Sequence, residues 1–139
     1  MTTPFSRVAI VSTALVFFTL PHVLEDFALG EPQSRGVPAL VIATVVSLLF
    51  AAQAAALYAL GNEQTRGLWA HAILGALWPL AAGFAQLPEI LFQDAPYRSG
   101  AISIVYVFGI ILGGITLCVT SLLGLRQTRV TSKVEPTRG

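Results

Sequence analysis

Apolar residues run in four long blocks, and polar residues punctuate them. Positions 8–24, 36–62, 67–88 and 99–125 contain no Asp, Glu, Lys or Arg over 17, 27, 22 and 27 residues. A bilayer-spanning helix needs about 20 mostly apolar residues. The blocks predict four spans, over 6–29, 37–61, 67–93 and 100–125, joined by short polar turns. Pro32 and Pro38 mark the first turn, Gly61 and Gly67 bracket the second, and 94–100 closes the third. Short turns make successive helices antiparallel neighbours. The expected fold is an all-α, integral membrane, antiparallel four-helix bundle occupying 1–126, with 127–139 as a disordered cytoplasmic tail.

Composition agrees with that pattern. Of 139 residues 55% are hydrophobic and 11% charged, against about 25% charged in a soluble domain. A soluble enzyme, a nucleic-acid binder and a disulfide-stapled secreted domain are excluded as main readings. The single cysteine, Cys118, lies inside the fourth block and reads as packing. The first block could pass for a signal peptide, but His22, Glu25 and Asp26 follow it where a cleavage site belongs, so a retained helix is expected.

Basic residues set the expected orientation. Arg7, Arg66, Arg126, Arg129, Lys133 and Arg138 fall on one side; Arg35 and Arg98 fall on the other. Both termini are therefore expected in the cytoplasm, with the protein in the cell membrane. Glu25, Asp26, Glu31, Glu89 and Asp94 gather on the opposite side, an outer mouth whose field would favour cations.

Helical spacing picks out interior faces. In the third span His71, Gly75, Trp78, Ala82, Gln86, Glu89 and Gln93 recur every three or four residues, one stripe carrying most of the span's polar groups. Polar groups facing hydrocarbon are costly, so this stripe should face inward, with Pro79 and Pro88 kinking the helix. In the fourth span Tyr106, Gly109, Gly113, Thr116, Thr120 and Gly124 recur similarly. Gly109 and Gly113 form a small-xxx-small pair for helix packing, either internally, against the alanine face of the second span, or at a homodimer seam.

The candidate ligand or ion cluster is His22, Glu25, Asp26, Gln86 and Glu89. His22 shares a helix face with Glu25 and Asp26. Depth counting puts His22 near Gln86 and Glu25 near Glu89. Three uses are open: a divalent metal, a proton relay, or a pocket for a cationic or amphipathic ligand. The alternative is that these acids simply end their helices among the headgroups. Trp78 and Tyr106 are the candidate pocket-lining aromatics, and Trp69, Tyr58 and Tyr97 the expected interfacial anchors. His71 lies too far from His22 along the bundle to share a haem iron, and Gln53 is its expected partner. No spacing calls for a cofactor, and no metal is identifiable.

The string AHAILGALWPL at 70–80, with acids at the outer ends of two spans, resembles the four-helix fold shared by the sigma-2 receptor and emopamil-binding sterol isomerase proteins. Gln53 stands where that pattern has its second-span acid, and the likeness covers one helix, so it assigns no family. Small multidrug transporters carry a carboxylate deep in the first span, and 8–20 has none.

The expected function is that of a small polytopic membrane protein, non-enzymatic, either handling a ligand or ion (transport, proton or cation binding) or serving as an accessory subunit. The rival is a membrane-embedded enzyme on a lipid-like substrate, with His22 and Glu25 as acid and base. Catalytic residues are not identifiable. The expected partners are the lipid bilayer and a homodimer or larger membrane complex, without nucleic acid. A cavity from Trp78 to His22 that opens sideways to lipid would favour the enzyme; a solid core with an exposed Gly109/Gly113 face would favour the subunit.

Overall fold

The computed structural model describes the backbone of residues 3–92 and 97–134, with side chains through residue 130. Its helices are α1 (Pro4–Ala28), α2 (Glu31–Ser34), α3 (Ala39–Gly61), α4 (Thr65–Phe92) and α5 (Ala101–Val134). Four of them are long and apolar enough to cross a membrane. The chain is an all-α integral membrane bundle. Gln93 and Asp94 lie outside the described residues, as does the segment 135–139.

Local chemistry explains the boundaries. Thr3 caps α1, its hydroxyl accepting from the Ser6 N–H at 3.2 Å, and Pro4 occupies the first turn, where no N–H is needed. The polar turn at 31–35 is a single helical turn rather than irregular chain. Gly30 and Gly36, at φ of 70° and 71°, reverse the backbone on either side of it. The last helix does not stop at 125. It continues to Val134, so the irregular segment expected from 127 is helical up to that point. No Gly or Pro interrupts 125–134, and Leu, Arg, Gln and Lys favour helix.

The long helices form a ring in which α1 touches α3, α3 touches α4, α4 touches α5 and α5 returns to α1; α4 and α5 share the most extensive contact. Glycine and proline set that contact. Pro79 has no N–H, which leaves the Gly75 carbonyl without its intrahelical partner. Both the Pro79 ring and that carbonyl lie against Gly114, where a Cβ would meet Pro79 Cδ at 2.5 Å and Gly75 O at 3.0 Å. A Cβ on Gly75 would meet the Cys118 nitrogen at 2.5 Å. α4 remains one helix through both Pro79 and Pro88.

The predicted stripe of α4 faces inward: His71, Gly75, Trp78, Ala82 and Gln86 are buried. On α5 the buried stripe is displaced by one position from the small and polar one, running through Ser103, Val107, Ile110, Gly114, Leu117 and Ser121. Thr116 and Thr120 need no place inside, because their hydroxyls donate to the carbonyls of Leu112 and Thr116 at 2.8 and 2.7 Å. Gly109 and Gly113 pack on α1, opposite Phe18 and Leu15, and not on the alanine face of α3.

α3 is held at one end only. Its buried residues are Gln53, Ala56, Ala59 and Leu60, all in its second half. There Gln53 Nε2 donates to Ser12 Oγ at 2.9 Å, and Ser12 Oγ lies 2.9 Å from His71 Nε2. His71 Nδ1 lies 2.8 Å from the Gly67 carbonyl, which can only accept. The proton therefore sits on Nδ1, and the Ser12 hydroxyl donates to Nε2. Ser12, which the sequence did not single out, stands between the expected partners His71 and Gln53.

Candidate functional site

The end of the bundle that carries α2 holds the candidate cluster, and two arginines organise it. Arg98 precedes α5 with a left-handed backbone, φ 44°, which a non-glycine residue adopts at a cost of about 1 kcal/mol. Its side chain is 4% exposed and reaches across the bundle. It pairs with Asp26 on α1, lies 3.6 Å from Glu31 and 3.9 Å from Glu89, and donates to Gln86 Oε1 at 2.7 Å. Arg35, which follows α2, pairs with Glu89, lies 3.4 Å from Glu31 and donates to the Ala85 carbonyl at 3.2 Å. This set of ion pairs binds α1, α2, α4 and the α5 approach into one lid.

These arginines change the expected chemistry. Counted only as loop charges, they set topology. In space they pair with Asp26, Glu31 and Glu89, three of the acids that were to make a cation-attracting mouth. Glu25 is turned toward α5, its Oε1 accepting from Ser103 at 2.5 Å. Among the described residues no group of three or more His, Cys, Asp and Glu is placed to hold a metal ion. His22 stays with the cluster, its Nε2 3.8 Å from Asp26 Oδ2. The charge opposite Asp26 and Glu89 is supplied by Arg98.

Tyr97 is not an interfacial anchor. It is 8% exposed, and its hydroxyl donates to Gln86 Oε1 at 2.9 Å. Burial first, then the nearby Glu89, Glu25 and Glu31, push its phenol well above the ordinary value. Burial also pushes the Arg98 guanidinium down, against the pull of Glu25, and it stays charged. Tyr58 and Trp69 do face outward, at 72% and 47% exposure, with Arg129 over the Trp69 ring at 6.0 Å. Because folding favours the protonated phenol, Tyr97 adds stability that is complete below about pH 10. That stability is lost as pH rises further. The difference in phenolate absorbance between the parent and Tyr97→Phe should appear only together with loss of helical circular dichroism. A Tyr97 signal that titrates freely near pH 10 with the helices intact would contradict this placement.

Beneath the ion pairs lies a cavity of about 250 Å³. α1 contributes His22, α3 contributes Ile42 and Val46, and α4 contributes Trp78, Ala82 and Gln86. It exists because the first half of α3 stands away from the bundle. It reaches the lipid-facing surface at Ala81, an exposed residue on its wall. Trp78 stacks at a tilt on Phe50, ring centroids 5.6 Å apart. His22 and Trp78 are 5% and 6% exposed. His22 Nδ1 and Trp78 Nε1 are both buried without a hydrogen-bond partner among the described residues.

Of the sequence-predicted site residues, the structure brings His22, Asp26, Gln86 and Trp78 to one cavity. Glu89 sits in the ion-pair lid, Glu25 turns to α5, and Tyr106 is not on the cavity wall. Sequence reasoning missed Arg35, Arg98, Tyr97 and Ser103 as members of the site. The available signal was the surplus of acids on that side, which must find cations if they are to be buried. No protein family matches the chain, and no curated protein or solved structure is significantly similar to it.

Proposed function

We propose that this protein binds a small amphipathic, lipid-like molecule within the membrane, in the cavity between α1, α3 and α4. The carrying observation is that cavity: apolar walls, a tryptophan, a polar roof and an edge at the lipid-facing surface. Ligand sites are typically concave, mostly apolar and marked by a few polar groups. At about 250 Å³ the space holds a headgroup and the start of a chain, the remainder lying in lipid. The excess of basic residues on the terminal side supports an orientation with both termini in the cytoplasm; in that orientation the cavity lies in the outer leaflet. Ion handling has less support, because Asp26, Glu31 and Glu89 are each engaged by Arg35 or Arg98. A homodimer seam at Gly109 and Gly113 has less support too, because both face α1.

A second reading, a membrane-embedded enzyme on a lipid-like substrate, draws support from the same cavity, which runs from Trp78 to His22 and opens at the lipid-facing surface. It draws support from one further observation. His22 presents an unpartnered Nδ1 at the cavity while Asp26 stands near its Nε2, the arrangement of an oriented base. In that reading His22 acts without Glu25, which is engaged by Ser103.

The test is purification of the full chain, solvent extraction and mass spectrometry of what remains bound, beside Ala82→Phe, which fills the cavity. The parent should retain an amphipathic molecule near one per chain, and the variant should lose most of it. Identical extracts from two equally folded proteins would remove the binding reading.

A further inference from the structure

The polar groups on the cavity wall constrain the head of the ligand that the cavity would take. Each polar group on the cavity wall has a definable role. The indole N–H of Trp78 only donates, and it is buried with no acceptor among the described residues. Gln86 Oε1 already receives two donors, the Tyr97 hydroxyl and the Arg98 guanidinium. That fixes the amide orientation and leaves its NH2 end to donate. His22 Nδ1, also buried and unpartnered, donates or accepts according to tautomer. The wall thus offers two fixed donors and one adaptable group.

Charge narrows the choice. Around the roof two guanidiniums, Arg35 and Arg98, face four carboxylates, Glu25, Asp26, Glu31 and Glu89. An anionic head would enter a region already in negative excess. An ammonium head would find Asp26, Glu31 and Glu89 engaged by arginine, and Glu25 turned toward Ser103. Trp78 lies eight residues from Gln86 on α4, about 12 Å along the axis at 1.5 Å per residue. Donors at two depths suit a head with more than one acceptor oxygen.

We infer that the cavity takes an uncharged, carbonyl-bearing lipid, a prenyl quinone or a diacylglycerol-type ester, whose oxygens accept from Trp78, Gln86 and His22. This rests on the cavity being a binding site, and the experiment separates the two claims. Trp69→Phe leaves Trp78 as the chain's one tryptophan. In nanodiscs its emission is followed while decylubiquinone, dioctanoylglycerol, decanoate or decyltrimethylammonium is added. One or both neutral probes should give a saturable change, and which one does identifies the source. The two charged probes should bind at least tenfold more weakly. His22→Phe and Gln86→Leu, on different helices, should each weaken the neutral probe about tenfold, the size expected for one lost hydrogen bond; either variant alone carries the comparison. Charged probes binding as tightly as neutral ones overturns the head assignment, as does a neutral probe indifferent to both substitutions. So does the absence of any saturable neutral binding, which would leave the unpartnered atoms to ordered water. The binding reading itself falls only if Ala82→Phe also leaves the co-purifying lipids unchanged.

Discussion

Replacing Arg98 by leucine is expected to lower the stability of the bundle by about 3 kcal/mol. Removing one partner of a buried ion pair leaves the other charge uncompensated, at a cost of about 3–5 kcal/mol. The carboxylates that Arg98 meets are 23–24% exposed, which argues for the lower end. Gln86 Oε1 also loses its charged donor. The origin of the loss can be checked with Asp26→Asn. If Arg98 acts by compensating Asp26, the double variant should be clearly more stable than the sum of the two single losses predicts. Arg98→Lys should fall between parent and leucine, because an ammonium keeps the charge but cannot fork between Asp26 and Gln86. Denaturation followed in one detergent at one pH gives all four values. Additive losses, or a leucine variant as stable as the parent, would show that the guanidinium is solvated and that the lid does not hold.

Gly75→Ala should be comparably damaging although it adds one methyl group. The new Cβ would lie 2.5 Å from Cys118 N, 2.9 Å from Cys118 Cα and 2.9 Å from Gly114 O. All three atoms belong to the backbone of α5, so relief requires moving a helix and not a side chain. Overpacking of this kind costs about 1–3 kcal/mol, and a rigid neighbour places it at the upper end. The same substitution at Gly83 gives the contrast. There the nearest atom is the tip of Leu87 at 3.8 Å. Gly83→Ala should be neutral or stabilising by about 0.5–1 kcal/mol, since alanine restricts the unfolded chain and favours helix. Equal effects at the two glycines would mean that α4 and α5 do not approach at Gly75.

The spans were legible because charge exclusion from hydrocarbon is a one-dimensional rule, readable along the chain. The inward face of α4 was legible for a related reason: Gln86, Trp78 and the second ring nitrogen of His71 carry groups that find no partner on their own helix. The rule gave the wrong phase on α5, where Thr116 and Thr120 are polar in composition yet satisfied by their own helix. Small size misled as well. Gly109 and Gly113 carry the recognisable spacing, but the tightest backbone approach is that of Gly75 to Cys118. Arg35 and Arg98 were visible as charges and invisible as partners. Their reach depends on a left-handed residue, a one-turn helix and the bundle's cross-section, none of which spacing encodes.

The Ser12 contacts carry a consequence for how the spans align. Ser12 lies on α1, Gln53 on α3 and His71 on α4, and one hydroxyl serves both of the others. Leucine-rich surfaces slide over one another at little cost, so apolar packing alone tolerates several axial offsets. Shifting α1 by one turn, about 5.4 Å, would strand the Gln53 amide and the His71 ring in hydrocarbon together. Neither could recover a partner from water. The serine therefore works as a vernier, admitting one offset of three helices and penalising its neighbours on both sides.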